Sequence, residues 1–150
     1  MIIHASSLLI QELARYGRTQ LPREACGAIL GQSCESSEHR HSWKALEWRA
    51  IRNDATLADQ AFFFAPEQWV SLASALQHEA SKDLQLIGIF HTHPMTPAIP
   101  SASDLHQWQA GENIASWIIS YADPVSPQIR AFHIRGHHYS EIPLIIQKTG

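Results

Sequence analysis

Residues 88–104 read GIFHTHPMTPAIPSASD, and the fold turns on how that stretch divides. The segment LQLIGIFHTH, residues 84–93, is short and largely apolar, and it reads as a buried strand. Pro94 ends it, because proline cannot donate to a ladder. Pro94, Pro97 and Pro100 fix three φ angles in the loop that follows, so the loop is stiff. SASDLHQWQAGE then starts a helix at Ser101. On a strand, side chains alternate between faces, so His91 and His93 point the same way and Thr92 the other. Two imidazoles one pleat apart can share one metal ion.

Working outward, SLLIQELARYG from Ser7 to Gly17 repeats Leu8, Leu9, Leu13 and Tyr16 at helical spacing, with Gly17 as the expected stop. EACGAILGQ, Glu24 to Gln32, is short, mostly apolar and bounded by Pro22 and Gly31, which predicts a strand. HSWKALEWRAI, His41 to Ile51, also reads as a strand, since a helix there would lack both caps. NDATLADQAFFFA is a loop followed by a short strand at Phe62–Phe64. Pro66 sits where an N1 proline starts a helix, and EQWVSLASALQHEASK continues it. ASWIISYA and QIRAFHIRG are further strands around the turn DPVSP, and HHYSEIPLII is a last strand or a docked tail. There is no internal repeat, low-complexity tract or linker. The fold class is α/β (α+β), and the hairpin-like pairs predict a single mixed or mostly antiparallel sheet flanked by helices.

A chain of 150 residues reads as one domain, 1–150, and can bury a core without staples. A net charge of -3 gives no reason to expect nucleic acid or an anionic membrane as partner. The N-terminus lacks a basic region and a cleavage site, so it does not read as a signal peptide. No apolar run approaches the ~20 residues that span a bilayer. Two cysteines, Cys26 and Cys34, do not make a disulfide framework, and the expected compartment is the cytoplasm, with both thiols reduced.

The chemistry gathers around His91 and His93. Asp104 falls in the first turn of the predicted helix, where the helix dipole favours a carboxylate, and it can lean back as a third ligand. Two histidines and one carboxylate, with a fourth position open, make the arrangement of catalytic zinc. No Cys-x-x-Cys pair offers a closed site. A general base is still needed to take a proton from a zinc-activated water. Glu24 is a candidate, because a charged residue is otherwise out of place at the start of an apolar strand; its plain alternative is a solvent-facing strand end.

PREACGAILG and HTHPMTPAIPSASD together resemble the signature of the JAMM (MPN+, Mov34/MPN/PAD-1) metalloproteases. Glu24, His91, His93, Pro94, Ser101 and Asp104 match it, with seven residues between His93 and Ser101. The chain is most similar to short bacterial members, whose Pro-x-Glu-x-Cys-Gly stands here as Pro22, Glu24, Cys26 and Gly27. The likeness runs from about Pro22 to Ile134. It implies an MPN/JAMM (cytidine-deaminase-like) fold and a zinc-dependent isopeptidase or peptidase. It implies one Zn2+ per chain on His91, His93 and Asp104, Glu24 as acid and base, and Ser101 as an oxyanion donor. Bacterial relatives of this size imply as partner a ubiquitin-like sulfur-carrier protein with a C-terminal Gly-Gly, or its conjugate. The chain is too short for the insertions that grip ubiquitin in eukaryotic members, which argues against polyubiquitin. Thr92 stands where many members carry serine and, facing away from the metal, is expected to have no functional effect.

The plain readings of the same residues are structural. Ser101 followed by Asp104 is also a helix-capping pattern. Cys26 reads as a small buried residue. His39 and His41 form a second His-x-His without an acidic partner, and His4, His78, His106, His133, His137 and His138 read as surface or structural. Of Phe62, Phe63 and Phe64, at least one faces outward, where it can line a substrate groove or a homodimer contact. The alternative function is a non-catalytic MPN scaffold module, although such modules usually lose a ligand and none is missing here. A zinc deaminase would need His-x-Glu and Pro-Cys-x-x-Cys, and neither occurs.

Overall fold

The computed structural model describes residues 1–34, 41–78 and 83–148. Eight strands form one sheet: β1 (Ile2–Ser6), β2 (Cys26–Cys34), β3 (Ser42–Ile51), β4 (Gln85–His93), β5 (Ala115–Ser120), β6 (Gln128–Arg135), β7 (His138–Ile142) and β8 (Leu144–Gln147). Their order is β7-β6-β5-β4-β2-β3-β1-β8. Four neighbouring pairs run antiparallel and three parallel, so the sheet is mixed and mostly antiparallel. The helices are α1 (Ser7–Gln20), α2 (Pro66–His78) and α3 (Ala102–Gln107).

Alternation along the central strands sorts the core into two layers. Ile29, Phe90, Trp117 and Ile119 pack with Leu9 and Leu13 of α1. Ala28, Leu30 and Ile51 pack with Leu72 of α2 on the opposite face. The two helices therefore cover different sides of the sheet, and β4, sealed on both, is buried from Ile87 to His93. Among the described residues no helix is long and apolar enough to cross a membrane.

The structure departs from the sequence reading at several places. Helix α1 runs past Gly17 to Gln20. Gly17 is buried, and a Cβ there would collide with the Tyr121 hydroxyl and with Cγ2 of Thr92, so this glycine permits close packing rather than ending the helix. The expected strand at Phe62–Phe64 is only an isolated bridge between Asn53 and Phe64. Helix α3 stops at Gln107; the Trp108 indole N–H donates to the carbonyl of Gly111, which holds a positive φ of 84°. Strand β2 begins at Cys26, two residues beyond Glu24. The expected continuation of α2 through residues 79–82, and His39, lie outside the described residues.

Two elements shape the sheet's margins. Strand β1 pairs in parallel with β3 on one side and β8 on the other. The segment read as one strand or a docked tail is two strands, β7 and β8, joined through Pro143. Pro143 interrupts donation, and its carbonyl accepts from Ile3 N–H at 3.0 Å. The outermost strands of the sheet are thus consecutive in the chain.

Candidate metal centre

Strands β4 and β5 are parallel and are connected through α3, so the end of β4 and the start of α3 meet at one edge of the core. His91 and His93 emerge there on the α2 side of the sheet, 2% and 5% exposed. The proline loop after them is pinned from three directions. The Ser120 hydroxyl donates to the carbonyl of Thr96 at 2.6 Å, Ala98 is buried against Ile118 and Phe132, and Nδ1 of His93 lies 2.8 Å from the carbonyl of Pro97. The loop delivers Ser101 as N-cap of α3, with a complete capping box: Asp104 N–H donates to Ser101 Oγ at 3.1 Å, and Ser101 N–H donates to Asp104 Oδ2 at 2.9 Å.

Three donor atoms converge as a result. Nε2 of His91 is 3.1 Å from Nε2 of His93 and 3.2 Å from Oδ1 of Asp104. Nε2 of His93 is 3.0 Å from Oδ2 of Asp104. One donor atom from each residue lies within 4.8 Å of the others, a group that could hold a metal ion. The Pro97 carbonyl can only accept, so Nδ1 of His93 carries a hydrogen. Burial pushes the His93 imidazole down, but its bonds to Asp104 and to Pro97 outweigh that and raise its pKa. Burial lowers that of His91. Asp104 is pushed up by burial and pulled further down by hydrogen bonds from both histidines, so it stays well below the usual carboxylate range. Ionised Asp104 and the two inward Nε2 atoms therefore present a carboxylate and two imidazole nitrogens to one point, a donor set that suits a divalent cation.

Glu24 belongs to the same face. Cys26 pairs with His91 in the antiparallel ladder of β2 and β4, and extending that register by two residues sets Glu24 opposite His93. Its side chain is buried, and Oε1 has no hydrogen-bond partner among the described residues. Burial above all, then the charges of Asp104 and Asp59, push its carboxyl up to about 7 against the pull of His93. Its backbone is held on both sides: Glu24 N–H donates to Ala58 O at 2.6 Å, and its carbonyl accepts from Asn53 Nδ2 at 2.9 Å.

The structure brings Glu24, His91, His93, Ser101 and Asp104 to one place. It also shows partners that the sequence reading passes over. Thr92 does face away from the cluster, but its hydroxyl accepts from Ala25 N–H at 2.8 Å. Asn53, read as loop, is 7% exposed and ties Glu24 to the following segment: Nδ2 also donates to Ala61 O, and Oδ1 accepts from Ala55 N–H and Phe63 N–H. An asparagine two residues past the apolar strand end at Ile51 is the trace of this role in the sequence. Phe62 lies on the His91 ring, centroids 4.7 Å apart at 23°. Cys26 is the small buried residue expected, its thiol donating to Ile51 O and pushed up to about 12 by burial.

Sheet topology and cluster together define a JAB-type α+β domain with a His-x-His…Asp group at the end of a central strand. The chain belongs to the family of prokaryotic homologs of the JAB domain, which it matches over residues 6–134. It is 32% identical over 114 residues to a desampylase of Pyrococcus furiosus, covering 69% of this chain and 71% of that protein. Among solved structures, a protein of Desulfitobacterium hafniense superposes with a TM-score of 0.81 at 24% identity, covering 99% of this chain and 94% of the other. One from Salinibacter ruber gives 0.66 at 19% identity, covering 96% and 91%. These two likenesses are of fold.

Proposed function

We propose that the protein, as one domain over residues 1–150, is a zinc-dependent isopeptidase or peptidase. It hydrolyses the amide bond after the C-terminal Gly-Gly of a ubiquitin-like sulfur-carrier protein. Family membership and the desampylase relative support a JAMM-type hydrolase and a ubiquitin-like substrate. The observation that carries the reading is Glu24: a buried carboxyl with an unpartnered oxygen, on the strand face that bears His91 and His93. A structural glutamate at a strand end would be solvated or paired. The two free cysteines accord with a reducing, cytoplasmic setting.

In this reading Nε2 of His91, Nε2 of His93 and the Asp104 carboxylate would hold Zn2+. Bound there, zinc would polarise the scissile carbonyl and lower the pKa of a water from ~15.7 to about 7. Glu24, with its carboxyl near 7, takes a proton from the attacking water and returns it to the leaving amine. Ser101 Oγ accepts from Asp104 N–H, which leaves its own O–H free to donate to the developing oxyanion. Capping and catalysis are therefore compatible at this serine. Glycine suits the scissile segment because it lacks a Cβ and lets the backbone approach a recessed cluster.

The test is kcat/KM on carrier fusions ending in Gly-Gly against the same fusions ending in Val-Val, with zinc-loaded protein and mass-spectrometric detection. The Gly-Gly fusion is cleaved and the Val-Val fusion is not. Similar values for both would remove the substrate assignment and leave the metallohydrolase standing.

A further inference from the structure

Beside the cluster lies a cavity of about 840 Å³ whose walls include Phe62, Phe63, Phe64, Trp69, Ile89 and Trp108. Its placement is tied to the cluster by three connections. Ile89 shares a face of β4 with His91, one pleat earlier. Trp108 directly follows α3, the helix that carries Asp104. A run of ring contacts leads from His91 to Phe62, from Phe62 to Phe64 at 5.6 Å, and from Phe64 to Trp69 at 5.5 Å. Among the described residues His106 is the only titratable side chain that lines the cavity. Phe63 is 61% exposed. An aromatic-walled, nearly uncharged hollow beside a charged cluster selects an apolar group.

We propose that this cavity is a subsite for a large apolar side chain on the leaving-amine side of the scissile bond, so that the protein discriminates among leaving groups. The inference rests on the Gly-Gly reading. Ile89 and His91 are two strand residues apart, roughly 7 Å, so the side chain that fills the hollow comes from within about two residues of the reacting carbonyl. On the carrier side both of those positions are glycine and bring no side chain. The occupant therefore belongs to the amine: a leucine, phenylalanine or similar residue joined directly after Gly-Gly. A serine or aspartate there would leave the aromatic wall in water and, for aspartate, would give up its own hydration beside uncharged rings.

The experiment uses zinc-loaded full-length protein and two readouts. Carrier fusions ending Gly-Gly-Phe, Gly-Gly-Leu, Gly-Gly-Ser and Gly-Gly-Asp are compared by kcat/KM. Binding of L-phenylalaninamide and L-serinamide is followed by fluorescence of the cavity tryptophans. Phe and Leu exceed Ser and Asp by at least about tenfold in turnover, as burial of one large apolar side chain implies, and phenylalaninamide binds more tightly by a similar factor. Trp108→Ala and Phe63→Ala each bring the Phe:Ser ratio toward one; both residues lie at the surface margin, and Phe63→Ala keeps the test sound if Trp108→Ala fails to fold. A flat ratio in the parent, or a ratio untouched in both variants, overturns the subsite. If no Gly-Gly fusion is cleaved, the carrier-substrate reading falls, and the amide binding alone then decides the subsite: selective, variant-sensitive binding upholds it, and equal binding of the two amides overturns it.

Discussion

Thr92 and Ala25 exchange two hydrogen bonds: Ala25 N–H donates to the Thr92 hydroxyl at 2.8 Å, and Thr92 N–H donates to the Ala25 carbonyl at 3.0 Å. The first is a side-chain bond from the middle of the His-x-His strand to the residue beside Glu24. It extends the β2–β4 pairing past the end of β2 and fixes the candidate base against the candidate ligands. Thr92→Val keeps the shape and strands the buried Ala25 N–H, so unfolding free energy falls by about 1–3 kcal/mol. Thr92→Ser keeps the hydroxyl and costs less. Urea denaturation of the two variants checks the order; equal losses would mean that packing of the methyl, not the hydroxyl, matters.

Metal content comes next. The protein binds about one zinc per chain by elemental analysis, and His91→Ala, His93→Ala and Asp104→Ala each weaken binding sharply, because a three-ligand site with one ligand gone loses its geometry. Wild-type affinity in all three variants would refute the assignment.

Zinc affinity depends on pH through His93. Its pKa is raised in the metal-free protein, whereas Asp104 stays ionised. Metal must displace the proton on Nε2, so affinity falls as pH drops below the His93 value, by about tenfold per unit for one proton released. Competition titrations with a chelator of known pH response read the slope.

Glu24→Gln separates base from ligand. The variant retains zinc and loses roughly 10²–10⁴ in turnover. In the metal-free protein it is also more stable than the parent at alkaline pH. A carboxyl whose pKa rises from 4.5 to about 7 on folding costs nothing below the lower value, increasingly more between the two, and its full penalty above the higher. That penalty is on the order of 3 kcal/mol. Thermal unfolding at pH 5 and pH 8 tests the sign: the gap between variant and parent opens with rising pH.

The candidate site was legible because its residues sit close in sequence on elements with plain signals. A strand ended by proline aligns His91 with His93, and a capped helix start places Asp104. Glu24 is remote, and the antiparallel register that sets it opposite His93 is a long-range property. Asn53 and Thr92 act through backbone partners that no side-chain pattern announces. In the fold, β1 escapes because five residues are too few to show a period; its strand character comes from pairing with β3 and β8. Phe62–Phe64 has strand-forming residues, yet their rings stack on His91 and Trp69, and that tertiary use outweighs local propensity. Gly17 looks like a helix end until Tyr121 and Thr92, more than 70 residues away, turn out to need its missing side chain.

The junction at Pro143 makes residues 138–147 a buckle. Strands β6 and β1 have no other covering neighbour on their outer sides than β7 and β8. If this one segment lifts, the outer amides of β6 and of β1 are uncovered together on either side of the Pro143 junction, and exposed edges of that kind invite intermolecular pairing. Amide exchange in β1 and β6 should then rise in concert, though no backbone ladder joins the two strands, and Pro143→Ala or a cut at that junction should bring self-association before it brings loss of the candidate metal cluster on β4.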